Sequence, residues 1–472
     1  MRNLLFSYFR ATSLSLKIWI RRYSNLKPFT MKIDTPLFHS LFTPEMLKLN
    51  KMFKDNHFQL RMAGGAVRDL LMDIKPADID FATDATPAQM KEMFEKNSVR
   101  MFNKNGEGHG TVSCRIDDKE NFEITTLRID VICDGRRAKV EFTTDWEKDA
   151  NRRDLTINSL FLDFDGTIID YFGGVDDIRK RRVVFVGDPV VRIQSLLFIR
   201  YLKEDFLRIL RYFRFFGRIS APGSVHDESC IKAIINNKNG LAWISGERIW
   251  LELKKICVGK LAVEVLQVML NDCKLGTYLG LPETVSLDHY EKIFKFYSSQ
   301  RLLPMTLLSS LFTSTSDLAT FHKRCKLSNV ELSLSKFILE MRDKLPTNEN
   351  LLPFLKEMMV DLCCAPDRDK KKLSGNILVV ELAKYHLLSK DLIEKLENWE
   401  LPTFPVSGVD LIKCSVEKGP FMRQILIHLY KIWKSSSYKA NKEELLKHID
   451  EIKFDSSSAP RREGKRKRPL ES

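Results

Sequence analysis

Apolar positions recur at two different spacings along this chain, and the change falls near residue 187. Before it, short apolar runs alternate with polar residues between turn signals, which is the pattern of strands. Phe58–Met62, Ile79–Ala82, Thr111–Ile116, Phe122–Arg128 and Lys139–Thr143 are predicted strands. Thr86–Asn97 is a predicted helix, opened by Thr86-Pro87. Residues 32–60 predict an amphipathic helical lead-in that buries Leu37, Leu41, Leu47, Leu49 and Phe53. These elements imply one compact sheet domain with its helices largely on one face. After residue 187 the spacing becomes helical over 204–219, 228–237, 245–258, 260–272, 287–298, 304–312, 331–344, 349–363, 375–386, 389–397, 407–414 and 419–446. No fixed-period repeat links these segments. The predicted class is α+β, a sheet-bearing front followed by an all-helical remainder.

Composition refines this picture without overturning it. With 472 residues the chain is too long for one core and implies two to four domains. Its net charge of +14 is concentrated at the ends: residues 1–30 carry six basic groups and no acid, and residues 456–472 carry six basic against two acidic. A nucleic-acid surface must therefore come from local clustering rather than from a globally basic body. Arg2, Arg10, Lys17, Arg21, Arg22 and Lys27, interleaved with apolar residues and Ser, give residues 1–30 the character of a mitochondrial targeting peptide. Met31 follows directly, so a second start there implies a form that also reaches the cytosol or nucleus. Arg461-Arg462 and Lys465–Arg468 lie in a loose basic tail, 454–472, readable as a nuclear signal or simply as a solvated end. Nine cysteines show no zinc spacing and are expected as thiols. No stretch reaches the ~18 apolar residues that cross a bilayer, so no membrane partner is expected.

Chemistry concentrates in a few clusters. Gly64-Gly65-Ala66-Val67-Arg68-Asp69 offers a turn where backbone approaches a ligand closely, with an arginine for phosphate. Asp78-Ile79-Asp80 follows, and on a strand positions i and i+2 point to one side. Two such carboxylates repel unless a divalent cation such as Mg²⁺ neutralises them. Alone, each half is more often a plain turn or a solvated strand end. Together, flanked by Leu70, Leu71, Ile79 and Phe81, they are the equipment of nucleotidyl transfer.

The stretch Asp149–Asn158 puts Arg152 and Arg153 where they can reach a triphosphate or ribose, or else forms a helix cap through Asp154 or Thr156. Phe164–Thr167 and Asp170–Asp177 predict a hairpin and a brace for the sheet. Asp205, Arg208, Arg211 and Arg214 recur every three residues and form a stripe on a helix. An aspartate accepts from the exocyclic amine of cytosine or adenine, and an arginine donates to the neighbouring ring acceptor. Uracil and guanine present mismatched groups to that pair, and a buried mismatch is costly. Ser245–Leu253 is expected as a helix start that scaffolds the stripe, Cys363-Cys364 as helical core thiols and His109 as a loop residue. Glu123 is a candidate third carboxylate.

In their order, Gly64–Asp69, Asp78–Asp80, Arg152–Asn158, Glu204–Arg214 and Glu247–Leu253 resemble the class II tRNA nucleotidyltransferases, the CCA-adding enzymes, in their eukaryotic form with a mitochondrial presequence. The resemblance runs from about residue 40 to at least 260. It implies a Pol β-like nucleotidyltransferase head at 31–186, a helical neck for nucleotide selection at 187–272, and a helical body and tail at 273–453 that hold tRNA. Asp78 and Asp80 would bind Mg²⁺, and Gly65, Arg68, Arg152 and Arg153 would meet the nucleotide. Asp205 and Arg208 would read the base, supported by Arg211 and Arg214. The implied reaction is attack of the tRNA 3′-OH on CTP twice and then on ATP, releasing pyrophosphate. One feature departs from the family: Ser195–Lys203 stands between Arg192-Ile193-Gln194 and Glu204-Asp205. If helical, nine added residues turn the chain by roughly half a revolution. A poly(A) polymerase of the same superfamily, and a tRNA-binding isoform disabled by this insert, are the alternatives.

Overall fold

The computed structural model describes residues 27–102, 108–134, 137–194, 206–300, 302–346, 351–366 and 374–449. The expected targeting segment up to residue 26, the 195–203 insert, Asp205 and the chain from 450 onward, the 454–472 tail included, lie outside them. The rest divides into two compact units. One runs to Leu287 and adds Ala319–Lys326, and the other comprises Asp288–Leu318 and the chain from Leu327.

The first unit is built on an eight-stranded sheet of order β1-β10-β9-β2-β3-β6-β5-β4. Its strands are β1 (Phe29–Lys32), β2 (Leu60–Ala63), β3 (Asp80–Thr83), β4 (Arg100–Phe102), β5 (Thr111–Ile116), β6 (Glu120–Thr126), β9 (Phe161–Leu162) and β10 (Thr167–Asp170). β7 (Arg128–Asp134) and β8 (Arg137–Phe142) pair separately as a two-stranded sheet, so the expected single sheet is two. Only β3 and β6 pair in parallel, which sets Asp80 beside Glu123. Besides the single helical turn Pro36–His39, four helices lie among the strands: α1 (Pro44–Asp55), α2 (Gly65–Leu71), α3 (Pro87–Lys96) and α4 (Trp146–Arg152). The start of α3 is chemically fixed, because Thr86 accepts from the Gln89 N–H while the Gln89 side chain accepts from Thr86. Beneath the central strands lie Ala63, Ala82, Leu127, Trp146, Ala150, Phe161 and Ile169. Each large side chain buried there contributes about 1.5–3 kcal/mol.

At the end of β10 the buried Asp170 accepts from the N–H groups of Phe172, Gly173, Gly174 and Val175, at 2.9 to 3.1 Å. That carboxylate fixes the turn into α5 (Gly174–Arg179), the structural brace that the sequence suggested. From there the chain turns helical: α6 (Pro189–Gln194), α7 (Leu207–Ile219), α8 (Glu228–Asn237) and α9 (Gly246–Cys257). On α7 the residues Leu207, Ile209, Leu210, Tyr212, Phe213, Phe215, Phe216 and Ile219 are buried, which leaves its arginines on the remaining face. α7 packs along α9.

The second unit is helical among its described residues, with Asn329–Met341, Leu351–Cys364, Gly375–Tyr385 and Pro420–Ser435 its longest helices. Val360, Leu411, Ile425, Leu429, Trp433 and Leu445 form one core. The segment expected as one helix over 419–446 breaks where Ser437 and Tyr438 take positive φ, and Lys442–Leu446 resumes it as a separate turn. Cys363 and Cys364 are helical thiols, as expected, but half-buried at the edge of the core rather than within it. Among the described residues no helix is long and apolar enough to cross a membrane.

Candidate active site

Strand β2 runs directly into α2 through Gly64, whose φ of +63° suits glycine alone. A Cβ there would also press on Nη1 of Arg153 at 3.0 Å, so backbone conformation first, and the Arg153 side chain second, favour glycine. A Cβ on Gly65 would meet only Arg68, at 3.6 Å, in ordinary contact. Gly65 faces a cavity, so the protein itself leaves that space open. One turn on, Arg68 is buried. It donates through Nε and Nη2 to Asp69 Oδ1 (3.0 and 2.9 Å) and through Nη1 to Asn158 Oδ1 (2.5 Å). Burial lowers its pKa and Asp69 opposes the shift, but a guanidinium stays charged.

Asp80 opens β3 at the cavity's edge. Asp78 does not share that strand. It precedes β3 on exposed chain and is not among the cavity-lining residues, which corrects the placement of both carboxylates by strand alternation. The two still interact: burial raises the Asp80 pKa first, Arg153 pulls it back and the Asp78 charge raises it again. Glu123, beside Asp80 in register, also lines the cavity. Among the described residues no three acidic, His or Cys side chains stand close enough to hold a metal by themselves. An all-oxygen carboxylate pair that supplies only part of a coordination shell suits Mg²⁺, which keeps water and phosphate ligands.

The second wall is α4 and the turn after it. Asp145, not Asp154 or Thr156, caps α4 by accepting from Glu147 and Lys148. Asp149 accepts from Arg152 Nε at 2.9 Å and from Arg153 at 3.1 to 3.2 Å, and Arg153 lies over the Phe161 ring. Burial would raise the Asp149 pKa, but the two guanidiniums and the Arg128 N–H hold it below the usual range. Thr156 donates to Asp177 at 2.6 Å, and Asp154 reaches the helical half through Arg211.

That helical wall is α7. Arg208 donates to the carbonyls of Arg192 (3.0 Å) and Arg152 (3.2 Å), Arg211 to Asp154 (2.6 Å) and Arg214 to Glu252 of α9 (2.9 Å). All three line the cavity, as the three-residue spacing predicted. Asp205, the acid at the head of the stripe, lies outside the described residues. Sequence reasoning missed Arg218, which continues the stripe by one turn and donates to Asp69 at 2.8 Å. It also passed over Arg248 of α9, whose signal was the helix start at Ser245. The Arg208 bond to the Arg192 carbonyl ties α7 to α6 at one point, while α6 packs on α8.

Together these walls enclose a cavity of about 680 Å³. Arg68, Arg128, Arg152, Arg153, Arg208, Arg211, Arg214, Arg218 and Arg248 line it against Asp80, Glu123, Asp149 and Asp154. Nine cations against four anions make a focused positive field for a polyphosphate. Residues 60–184 match the Poly A polymerase head domain family. The human protein named CCA tRNA nucleotidyltransferase 1, mitochondrial, is 46% identical over 426 residues, covering 89% of this chain and 93% of its own. The chain belongs to the CCA tRNA nucleotidyltransferases. The mouse protein of the same name is 44% identical over 456 residues, covering 95% of this chain and 99% of its own. Both relatives are mitochondrial by name, in keeping with the arginine-rich, acid-poor N-terminal composition. Among solved structures, the Bacillus stearothermophilus CCA-adding enzyme in complex with CTP matches with a TM-score of 0.64 at 25% identity, covering 89% of this chain and 98% of that one. The α+β fold, a nucleotidyltransferase head followed by helices, is thus that of CCA tRNA nucleotidyltransferases. The likeness spans far more than the head, which disfavours the poly(A) polymerase alternative.

Proposed function

We propose that this chain adds C, C and A to the 3′ end of tRNA, taking CTP and ATP as donors and no nucleic-acid template. The observation that carries this reading is the convergence of three parts on one cavity: the Gly65–Arg68 turn, Asp80 beside Glu123, and the arginine face of α7. Arg68, Arg152 and Arg153 would bind the triphosphate from two walls. Asp205 and Arg208 would read the base edge, with Arg211 and Arg214 holding the helix. Asp78 and Asp80 would hold Mg²⁺ through oxygen ligands. Bound there, the ion would withdraw charge from the phosphate oxygens and favour the ionised 3′-OH. The 3′ oxygen forms a bond to the α-phosphorus while the bond to the pyrophosphate oxygen breaks. The cavity arginines neutralise the charge that develops on the leaving group.

In this reading residues 31–186 act as head and 187–272 as neck, while 273–453 hold the tRNA. The protein works in mitochondria, and a start at Met31 or the basic tail would extend its range to cytosol or nucleus. Incubation with tRNA lacking its 3′ end, Mg²⁺ and labelled CTP or ATP tests the proposal. Two C residues followed by one A are expected, and Asp78→Ala or Asp80→Ala should abolish addition while tRNA binding persists. Long A-tails without C would overturn it.

A further inference from the structure

Asn158 is the one uncharged member of a closed hydrogen-bonded circuit around the nucleotide cavity. The circuit starts on α7, where Arg218 Nη2 donates to Asp69 Oδ2 at 2.8 Å. Asp69 Oδ1 accepts from Arg68, and Arg68 Nη1 donates to Asn158 Oδ1 at 2.5 Å. Asn158 Nδ2 in turn donates to Asp154 Oδ1 at 3.2 Å, and Asp154 Oδ2 accepts from Arg211 Nε at 2.6 Å. Arg211 and Arg218 are seven residues apart, two turns along one face of α7, so the helix is clamped at two points. The residue is buried, and its backbone N–H donates to the Leu155 carbonyl. Its orientation follows from charge: the oxygen faces a guanidinium and the NH₂ faces a carboxylate. The amide carries its acceptor and its donor on separate atoms, so it can accept from the cation and donate to the anion at the same time.

We infer that Asn158 is a positioning residue that fixes Arg68, at the phosphate end of the cavity, relative to Arg211 on the helix that reads the base, and thereby sets the choice between cytosine and adenine nucleotides. The inference rests on the proposed CCA-adding function. Selection requires the base edge to be offered at a fixed distance from the anchored phosphates. With the amide removed, Arg68 and Asp154 lose their shared partner, and α7 keeps its other clamp through Asp69. The cradle and the reading helix then shift independently. A nucleotide still binds and reacts, but a mismatched base is rejected less sharply.

The test uses the full chain and tRNA ending at each stage of addition. It reads kcat and KM for CTP and ATP separately. For Asn158→Ala the ratio of correct to incorrect kcat/KM is expected to fall roughly tenfold, the scale of one buried hydrogen bond, with kcat for the correct nucleotide falling much less. Asn158→Asp supplies a second readout. It keeps the acceptor toward Arg68 but sets a carboxylate against that of Asp154, among Arg153, Arg208 and Arg211, with Asp80 across the cavity and Asp177 turned to Thr156. Two carboxylates that close share a proton. Selectivity of this variant should therefore recover as pH falls, when the shared proton restores a donor, while the wild-type ratio stays flat. If both variants lose activity only in proportion to their folded fraction, with the selection ratio unchanged at every pH, Asn158 is structural and the inference fails. If the wild-type chain itself adds no C-C-A, the underlying functional reading has failed instead.

Discussion

A methyl group added at Gly64 would have to adopt φ +63° and stand 3.0 Å from an Arg153 nitrogen, whereas one added at Gly65 would touch only Arg68 at 3.6 Å. Gly64→Ala should therefore cost about 1–3 kcal/mol of backbone strain and displace Arg153 from Asn158. Gly65→Ala should leave the thermal midpoint near wild type and raise KM for nucleotide, because its methyl intrudes on the ligand's space. Thermal unfolding paired with nucleotide kinetics separates the two; equal midpoints for both variants would contradict the argument. Asp80 yields a prediction of opposite sign. Its folded pKa is raised, so the folded chain holds that proton more tightly than the unfolded chain does. The ionised form is thus a stability cost that is fully present above the folded pKa and disappears as pH falls below the unfolded one. Asp80→Asn should raise the melting temperature at pH 7 while abolishing addition, and the gain should shrink in acid. A lower melting temperature at neutral pH would show that desolvation does not disfavour the ionised carboxylate there.

At the scale of elements, α4 shows what the sequence disclosed and what it could not. The adjacent Arg152-Arg153 were legible, but the helix that carries them was not, nor was the part of Asp149 in holding both guanidiniums. Asp154 looked like a helix cap because its true partner, Arg211, is 57 residues away and only tertiary structure brings them together. Strand β5 and helix α3 were legible to within a residue or two, since alternation and a capping pair are local signals. β1 and β4 escaped notice: both are short edge strands without a buried alternating face. Asp78 was placed in a strand by its spacing from Asp80, yet pairing begins only at Asp80. Asp149→Asn should cost about 3–5 kcal/mol in urea unfolding, because it leaves Arg153 without its counter-charge. The folded pKa of Asp149 is depressed, so its contribution exists above the unfolded value and vanishes as pH falls through the folded one. The penalty of the variant should accordingly narrow in strong acid. A pH-independent penalty would assign the loss to packing instead.

For the whole molecule, the net charge of +14 is a poor guide to where RNA meets protein. Residues 1–26 and 456–472 together carry eleven basic groups and two acidic ones, so a chain without them falls to +5. The cavity loses nothing in that truncation, since its nine arginines all lie between Arg68 and Arg248. Counterion release depends on the phosphates neutralised at the contact, not on charge elsewhere on the protein. The truncated chain, which keeps β1 intact, should therefore show the same KM for CTP and ATP and the same slope of log KM against log salt as the full chain. Removing a cavity charge by Arg218→Gln should lower that slope, although it changes the net charge by one where truncation changes it by nine. Steady-state kinetics across a salt series measures both. A slope that drops with truncation and not with Arg218→Gln would place the electrostatic contact on the terminal segments and away from the cavity.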